Sequence, residues 1–300
     1  MSNKILLVAA TSVEAEVIGR IRGVQIIPGG YHLGNYDIDV LISGVGSIST
    51  AWEMQKWLSV NDKPDLAINI GIAGSYREEI KIGDVVMPLK VLVVAATPAE
   101  ADCLTVMPGM DLISIVTGIG SVATAWGMTK HLSSGMAIDL AINIGIAGSY
   151  CDEIQTGDVV LPVSDCFADA GIETKSGYLT LAEAGLQDPD TFPFTSGRII
   201  SENRFISQAA GMLRTVNAVT VNTATGSENS IKRITRKFNP DIETMEGAAF
   251  FYICSRENIP FLAVRAISNK VEPRVRERWN IPLALENLSV KLKEVLMTLG

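Results

Sequence analysis

The chain has few of the residues that build metal centres, redox sites and disulfide frameworks. It contains four cysteines and two histidines among 300 residues. The cysteines show neither metal-ligand nor redox spacing, and no cluster of histidines and carboxylates is visible. The sequence therefore predicts no metal and no cofactor, and it favours a reduced, cytoplasmic compartment. The four cysteines are Cys103, Cys151, Cys166 and Cys254.

Basic charge and long apolar runs are also scarce. The net charge is −8 and the isoelectric point is about 4.9, which argues against a nucleic-acid-binding surface. No run reaches the roughly 18 apolar residues of a membrane span, and MSNKILLVAA at the start lacks a signal-peptide layout. We therefore expect a globular protein that binds a small molecule and neither nucleic acid nor a membrane.

The most informative feature is an internal duplication. DLAINIGIAGSY occurs at residues 65–76 and again at 139–150. Flanking segments also repeat: KILLVAATSVEAE resembles KVLVVAATPAEAD, SGVGSISTAW resembles TGIGSVATAW, and KIGDVVMP resembles QTGDVVLP. Everything after Pro162 occurs once. The pattern indicates an extra, incomplete half-domain at 1–88, followed by a complete domain at 89–300.

Alternating apolar runs and helical patterns predict an α/β fold. Short apolar runs such as KVLVVAA, LISIVT, DLAINIG and FLAVRAIS are typical of buried strands, with DLAINIG closing on Ile-Ala-Gly-Ser. VATAWGMTKHL, MEGAAFFYICSREN and LALENLSVKLKEVLMTL have helical spacing. We expect a mixed central sheet with helices on both faces. An extra hairpin-like piece, PGGYHLGNYDIDV, is present only in the first copy.

Glycines and one carboxylate follow the strands of the complete domain. Gly120 and Gly148 lie where ligands collect in such sheets, although tight turns explain glycine equally well. The Gly-x-Gly elements lack the third glycine of a dinucleotide fingerprint. Glu100, and its twin Glu14, follow the first strand of each copy. Such a residue serves either as a general acid or base, or as a first-turn helix carboxylate.

The segment ETMEGAAFFYICSRENIPFLAVRAISN, at 243–269, carries a specific resemblance. Together with the strand before Glu100, TGIGSVATA and NIGIAGS, it resembles the nucleoside phosphorylase/nucleosidase family. The resemblance covers essentially all of 89–300 and, for the early half, 1–88. It implies that family's mixed sheet flanked by helices, a purine nucleoside as ligand and a homo-oligomer.

The resemblance assigns roles residue by residue. Glu246 would accept hydrogen bonds from the ribose 2′ and 3′ hydroxyls, and Met245 would pack under the sugar, although it could equally fill the core. Gly120 would lie on the sugar side. Ala147 and Gly148 would border the nucleophile, and Glu100 would polarise a water molecule.

Asn269, after Arg-x-Ile-Ser268, would bind the purine. Relatives that cleave adenine nucleosides carry aspartate there, whereas an amide suits a 6-oxopurine, because it can donate to one acceptor and accept from a protonated N7. A turn asparagine is the alternative. Base protonation on the Asn269 side would assist departure.

Hydrolysis is favoured over phosphorolysis. A phosphorylase needs cationic groups for phosphate. ATPAEADCLT and GIAGSYCDE contain neither arginine nor lysine, but the first copy carries Arg20, Arg22 and Arg77. If the first copy served the site, this preference would weaken.

Two longer segments resemble the futalosine-hydrolysing branch of the family, which acts in menaquinone biosynthesis. They are SDCFADAGIETKSGYLTLAEAGL and ISNKVEPRVRERW. The resemblance implies that Arg274 in the second segment pairs with the substrate carboxylate, unless this is only a solvated basic loop. Two alternatives remain open: another purine nucleosidase or phosphorylase of the same fold, such as one acting on methylthioadenosine, and a non-catalytic nucleoside-binding protein. Whether Glu14 or Glu100 completes the site is also open.

Overall fold

The computed structural model describes residues 3–74, 81–83, 88–105, 107, 110–175, 177–273 and 276–299. The chain divides into two compact units, Met1–Val85 and Val86–Gly300. Within the described residues, no helix combines the length and the apolar character that crossing a bilayer requires.

The first unit contains one five-stranded sheet, in which the strands lie in the order β2 (Gln25–Ile27), β3 (Gly30–Leu33), β4 (Tyr36–Ile42), β1 (Asn3–Ala9) and β5 (Leu66–Ile70). Strands β1, β4 and β5 are parallel, whereas β2, β3 and β4 are antiparallel neighbours, and the predicted extra hairpin-like piece contains β3 and most of β4. A small core forms around Leu7, Ile18 and Ile38. The elements of this unit are β1 (Asn3–Ala9), α1 (Ser12–Ala15), a 3₁₀ helix (Glu16–Arg20), β2 (Gln25–Ile27), β3 (Gly30–Leu33), β4 (Tyr36–Ile42), α2 (Ser47–Val60) and β5 (Leu66–Ile70).

The second unit has a larger sheet and the helices that cover it. Its first half contains β6 (Leu89–Ala95), α3 (Pro98–Ala101), β7 (Met110–Val116), α4 (Ser121–Leu132), β8 (Leu140–Ser149), β9 (Val159–Asp165), β10 (Gly171–Thr174) and β11 (Gly177–Thr180). Its second half contains β12 (Phe194–Thr195), β13 (Arg198–Ile200), α5 (Arg204–Ala209), β14 (Arg214–Thr220), α6 (Glu228–Phe238), β15 (Ile242–Thr244), α7 (Gly247–Arg256), β16 (Phe261–Lys270), a 3₁₀ helix (Arg276–Arg278) and α8 (Ile281–Leu299).

The sheet of the second unit closes partly on itself. Its order is β12-β13-β9-β14-β15-β8-β6-β7, and β16 pairs with both β8 and β9. The five strands β8, β16, β9, β14 and β15 therefore form a closed ring. The carboxyl ends of β6, β7, β8 and β16 lie at one edge, because these strands are parallel. This arrangement confirms the predicted mixed α/β fold.

Two apolar layers hold the sheet of the second unit between helices. One core joins β6, β8 and β16 to α5 and α8, with Leu288, Leu292 and Leu296 almost fully buried. The other joins the opposite face to α4 and α7, with Phe250 and Phe251 at its centre. Strands covered on both faces have continuous apolar sequences, and such short apolar runs are what predicted them.

The two copies of the duplicated sequence differ in structure. LAINI is strand β5 in the first unit, where it is mostly exposed and pairs, within the described residues, only with β1. In the second unit the same letters begin β8, which is buried and continues through Gly148 to Ser149. The prediction of a buried strand is therefore wrong for the first copy, and the predicted end at Ile-Ala-Gly-Ser is too early for the second. The cause is β16, which pairs with β8 from Ala141 to Ser149.

Candidate active site

Glu100 lies at the start of α3, directly after β6. Thr97 caps this short helix: its hydroxyl accepts from the Glu100 amide, and the Glu100 carboxylate accepts from the Thr97 amide at 2.9 Å and hydroxyl at 2.8 Å. The other carboxylate oxygen, Oε1, accepts from the main-chain amide of Ile146 in β8 at 3.1 Å. Glu100 is 7% exposed, so the carboxylate is buried, and its three hydrogen bonds come from Thr97 before α3 and from Ile146 in β8.

The backbone facing Glu100 has room for glycine only. A Cβ atom at Gly145 would lie 2.7 Å from Glu100 Oε1. That distance is shorter than any normal contact, and the carboxylate cannot move away without losing its bond to Ile146. Glycine at position 145 therefore allows the Glu100 carboxylate to approach β8 closely. This close approach, and not a turn, explains why the residue is glycine.

Glu246 lies immediately before α7, which starts at Gly247. Its Oε1 accepts a hydrogen bond of 2.8 Å from the amide of Gly120, which precedes α4 with φ of +92°. The hydroxyl of Ser121 donates to the carbonyl of Met245 at 3.3 Å. The start of α4 therefore holds both members of the Met-Glu pair, and the duplicated and single-copy parts of the sequence meet here.

Asn269 lies at the carboxyl end of β16 and is 6% exposed. A bulge at Ser268 shifts the register, so that Ile267 faces Ala147 while Asn269 faces Gly148. Bulges of this kind re-aim side chains and are common beside active sites.

The side chain of Asn269 is fixed by its neighbours in the chain. Ser268 donates its hydroxyl to Asn269 Oδ1 at 2.8 Å and also reaches the Ala147 carbonyl at 3.3 Å. Asn269 Nδ2 donates to the carbonyl of Lys270 at 2.8 Å. A Cβ atom on Gly148 would approach that nitrogen to 3.2 Å. The amide therefore packs directly on the Gly148 backbone.

Arg265, to which the sequence pattern assigned no role, is a buried cation that interacts electrostatically with both carboxylates. It is 1% exposed and donates from Nη1 to the carbonyl of Asn143 at 2.7 Å and from Nη2 to the Asn143 side chain. Burial lowers the pKa of Arg265, and the negative charges of Glu246 and Glu100 oppose that change. The available signal was a charged residue inside the apolar run FLAVRAIS, because a buried charge requires partners.

Glu246 is affected by the same group of charges. Burial raises the pKa of Glu246, while its hydrogen bond from Gly120 and the charge of Arg265 act against the increase and Glu100 adds to it. The negative charges of the two carboxylates therefore oppose each other, and Arg265 is a cation that compensates both.

A second contact that the sequence did not reveal, which is partly buried, supports this edge of the sheet. The Tyr150 hydroxyl donates to Glu243 Oε2 at 2.6 Å, and the amide of Thr225 donates to Glu243 Oε1 at 2.8 Å. Glu243 pairs with Gly148 across β15 and β8. The contact ties the segment after β14 to the strands that carry Gly148 and Asn269.

Six of the seven other predicted site residues lie at the carboxyl ends of β8 and β16 or at the starts of α4 and α7; Arg274 lies outside the described residues. Those six are Gly120, Met245, Ala147, Gly148, Ser268 and Asn269. Among the residues that the structure describes, no group of three histidine, cysteine or carboxylate side chains could hold a metal ion.

Solved structures share this architecture. A 5′-methylthioadenosine/S-adenosylhomocysteine nucleosidase from Colwellia psychrerythraea, solved in complex with adenine, matches 71% of this chain and 97% of its own, with a TM-score of 0.61 at 20% identity. Futalosine hydrolase from Helicobacter pylori matches 70% of this chain and 97% of its own, with a TM-score of 0.59 at 14% identity. At these identities the likeness concerns the fold.

Curated sequences are also similar to this chain. Futalosine hydrolase from Streptomyces coelicolor is 30% identical over 185 residues, which are 60% of this chain and 76% of that protein. A 5′-methylthioadenosine/S-adenosylhomocysteine nucleosidase from Haemophilus influenzae is 28% identical over 244 residues, which are 76% of this chain and 99% of that protein. The family model described as the phosphorylase superfamily matches residues 4–95 and 103–297. This chain therefore belongs to the phosphorylase superfamily.

Proposed function

We propose that this chain is a purine nucleosidase that hydrolyses the N-glycosidic bond of futalosine, releasing hypoxanthine and dehypoxanthine futalosine. The observation that carries the proposal is the pair of carboxylates, Glu100 and Glu246, that faces the buried guanidinium of Arg265 at one edge of the sheet. Cleavage of a glycosidic bond develops positive charge on the sugar. Two carboxylates beside the sugar and a hydrogen-bonding group beside the base meet that requirement.

Glu246 is assigned to the ribose. An ionised carboxylate has about four acceptor positions, of which the Gly120 amide occupies one. The remaining positions can accept from the 2′ and 3′ hydroxyls. Met245, whose carbonyl is held by Ser121, then lies against the sugar. The charge of Glu246 also stabilises the ribosyl cation in the transition state.

Glu100 is assigned to the attacking water. Three of its roughly four acceptor positions are occupied by the Ile146 amide and by the amide and hydroxyl of Thr97. One position is left for a water molecule, so the carboxylate can orient a single nucleophile. The water oxygen forms the bond to C1′, the bond from C1′ to the base nitrogen breaks, and Glu100 receives a water proton.

Asn269 is assigned to the leaving base. Its Oδ1 accepts one hydrogen bond from Ser268, and its Nδ2 gives one hydrogen to the Lys270 carbonyl. One lone pair and one hydrogen remain for the ligand. They complement the O6 acceptor and the protonated N7 of hypoxanthine, with the N7 proton drawn from solvent. The departing base is then neutral, which lowers the barrier to bond cleavage.

Hydrolysis is supported by the charge around Glu100. The stretches that border it in the second unit, ATPAEADCLT and GIAGSYCDE, contain neither arginine nor lysine. Phosphate would therefore meet a carboxylate where phosphorolysis needs a cation. The buried cation that acts on Glu100, Arg265, is already balanced by the negative charges of Glu246, Glu100 and Asp165.

A second candidate substrate is methylthioadenosine. The Haemophilus influenzae nucleosidase covers more of this chain than the futalosine hydrolase from Streptomyces coelicolor does, at nearly the same identity. The two substrates differ at the purine 6-position and beyond the 5′ carbon, so base preference at Asn269 separates them.

A product assay on the full chain tests the proposal. Futalosine, methylthioadenosine and inosine are incubated with and without phosphate, and the free base and the sugar product are measured. We expect hypoxanthine from futalosine at equal rates with and without phosphate. Preferred release of adenine would assign the chain to the second candidate, and formation of a sugar phosphate would contradict hydrolysis. Tight nucleoside binding without release of any base would indicate a binding protein.

A further inference from the structure

A buried carboxylate other than Glu100, Glu243 and Glu246 lies against the start of α7. Asp165, the last residue of β9, is 1% exposed. Its Oδ1 accepts from the Cys166 amide at 2.7 Å and from the Thr220 hydroxyl at 3.0 Å. Its Oδ2 has no hydrogen-bond partner within the described part of the chain. A buried charge with so few partners is costly, so its position requires an explanation.

Thr220 links Asp165 to the helix. The Thr220 oxygen accepts from the Ala248 amide at 2.7 Å and contacts the Thr244 hydroxyl at 3.2 Å. Thr244 in turn accepts from the Gly247 amide at 3.2 Å. Because a hydroxyl carries one hydrogen, its donation to Asp165 leaves both Thr220 lone pairs for Ala248 and Thr244. Asp165 therefore fixes the direction of the hydrogen bonds that begin α7.

Gly247 fits closely over this group. A Cβ atom there would lie 2.1 Å from Asp165 Oδ2 and 2.8 Å from the Thr244 hydroxyl. Glu246 is the adjacent residue, and its side chain makes no capping bond to α7. Its orientation toward Gly120 therefore depends on where the helix backbone starts.

We propose that Asp165 is a positioning residue for the ribose-binding carboxylate of Glu246, and that it acts through Thr220. The inference rests on the proposed ribose role of Glu246. The charged groups that face Asp165 are Arg198 and Arg265. Arg198 donates from Nη2 to the Ala218 carbonyl and from Nε to the Ser164 hydroxyl. Both Nη atoms of Arg265 are held by Asn143.

The test measures the dissociation constants of inosine and 2′,3′-dideoxyinosine by calorimetry at pH 8. Only inosine has the hydroxyls that Glu246 would hold. Thr220→Val keeps the shape and removes the hydroxyl, whereas Thr220→Ser keeps the hydroxyl. We expect Thr220→Val to weaken inosine binding about tenfold and leave dideoxyinosine binding unchanged. Thr220→Ser should retain the preference for inosine.

Two further variants distinguish failure of the ribose role of Glu246 from failure of the positioning role of Asp165. Asp165→Asn, which offers a weaker neutral acceptor to Thr220, should reduce the preference about threefold and covers the case in which Thr220→Val does not fold. Glu246→Gln should abolish the preference. If Glu246→Gln leaves it intact, the ribose role is wrong. If Glu246→Gln abolishes the preference while Thr220→Val and Asp165→Asn leave it unchanged, or if these two variants weaken the binding of both ligands equally, the positioning role is wrong.

Discussion

The Glu100 carboxylate and the Ile146 amide are joined by a hydrogen bond of 3.1 Å. The first unit repeats the contact, since Glu14 Oε1 accepts from the Ile72 amide at 3.0 Å and Oε2 accepts from Thr11. Each copy of the duplicated sequence therefore builds the same carboxylate arrangement by itself. What distinguishes them is the surroundings: Glu14 is more exposed and its pKa is lowered, first by the Ile72 hydrogen bond, whereas Glu100 is buried beside Arg265.

The duplication makes a direct comparison of the two carboxylates possible. We expect Glu100→Gln to lower kcat by at least about a hundredfold while nucleoside binding persists, because the amide cannot take a proton from water. The matched change, Glu14→Gln, should leave activity unaltered. Steady-state kinetics on both full-length variants decide the matter. Loss of activity in Glu14→Gln alone would mean that the first copy serves the site.

Base preference should follow residue 269. Asn269→Asp replaces a hydrogen donor by a second acceptor, which suits a 6-amino group and repels O6. We expect the ratio of kcat/KM for a 6-oxopurine nucleoside to that for its 6-amino analogue to fall by about ten- to a hundredfold. Asn258→Asp, at an exposed turn after α7, serves as the control. An unchanged ratio in Asn269→Asp would remove Asn269 from base recognition.

Gly145 should tolerate no side chain. Gly145→Ala would place a methyl group 2.7 Å from Glu100 Oε1, so the carboxylate must move away from Ile146. A displacement of this size in a catalytic group costs on the order of a hundredfold in kcat. In the first copy, the equivalent Gly71→Ala brings Cβ to 3.0 Å from Glu14 Oε1. Kinetics and thermal melting of both variants test this: equal activity in the two would contradict the importance of the contact.

The sequence predicts where the strands form, but their burial depends on neighbouring strands that are distant in the sequence. The letters LAINI form a strand in both units, because β-branched residues favour that conformation. Their burial, and the extension of β8 to Ser149, depend on β16, which lies more than a hundred residues away. No local pattern in the repeat contains that information.

Contacts in the candidate site could be predicted from the sequence where the two residues are close together in the chain. Thr97 and Glu100 form a capping box, and the spacing Thr-x-x-Glu in the sequence is the signature that predicts such a box. The association of Asp165 with Thr220 and of Glu246 with Gly120 joins residues 55 and 126 positions apart. Such contacts follow from the ring of strands, and the sequence pattern does not encode them residue by residue.

Asp165 should make stability dependent on pH. Burial raises the pKa of Asp165 from 3.8 to about 7. The folded state therefore holds the proton more tightly than the unfolded state, and this stabilisation is lost as the pH rises from about 4 to 7. We expect the wild-type free energy of unfolding to fall by on the order of 2–3 kcal/mol between pH 5 and 8 relative to Asp165→Asn.

Urea denaturation at several pH values measures that difference. Asp111→Asn, at an exposed carboxylate, provides the control. A difference between wild type and Asp165→Asn that does not change with pH would show that Asp165 does not titrate in this range.

Release of hypoxanthine from futalosine by the full chain, in buffer without phosphate, tests the central claim most directly. Chromatography of the reaction should show hypoxanthine and dehypoxanthine futalosine in equal amounts, with Glu100→Gln inactive under the same conditions. Intact futalosine after prolonged incubation with folded protein, or hypoxanthine release that requires phosphate, would contradict the account.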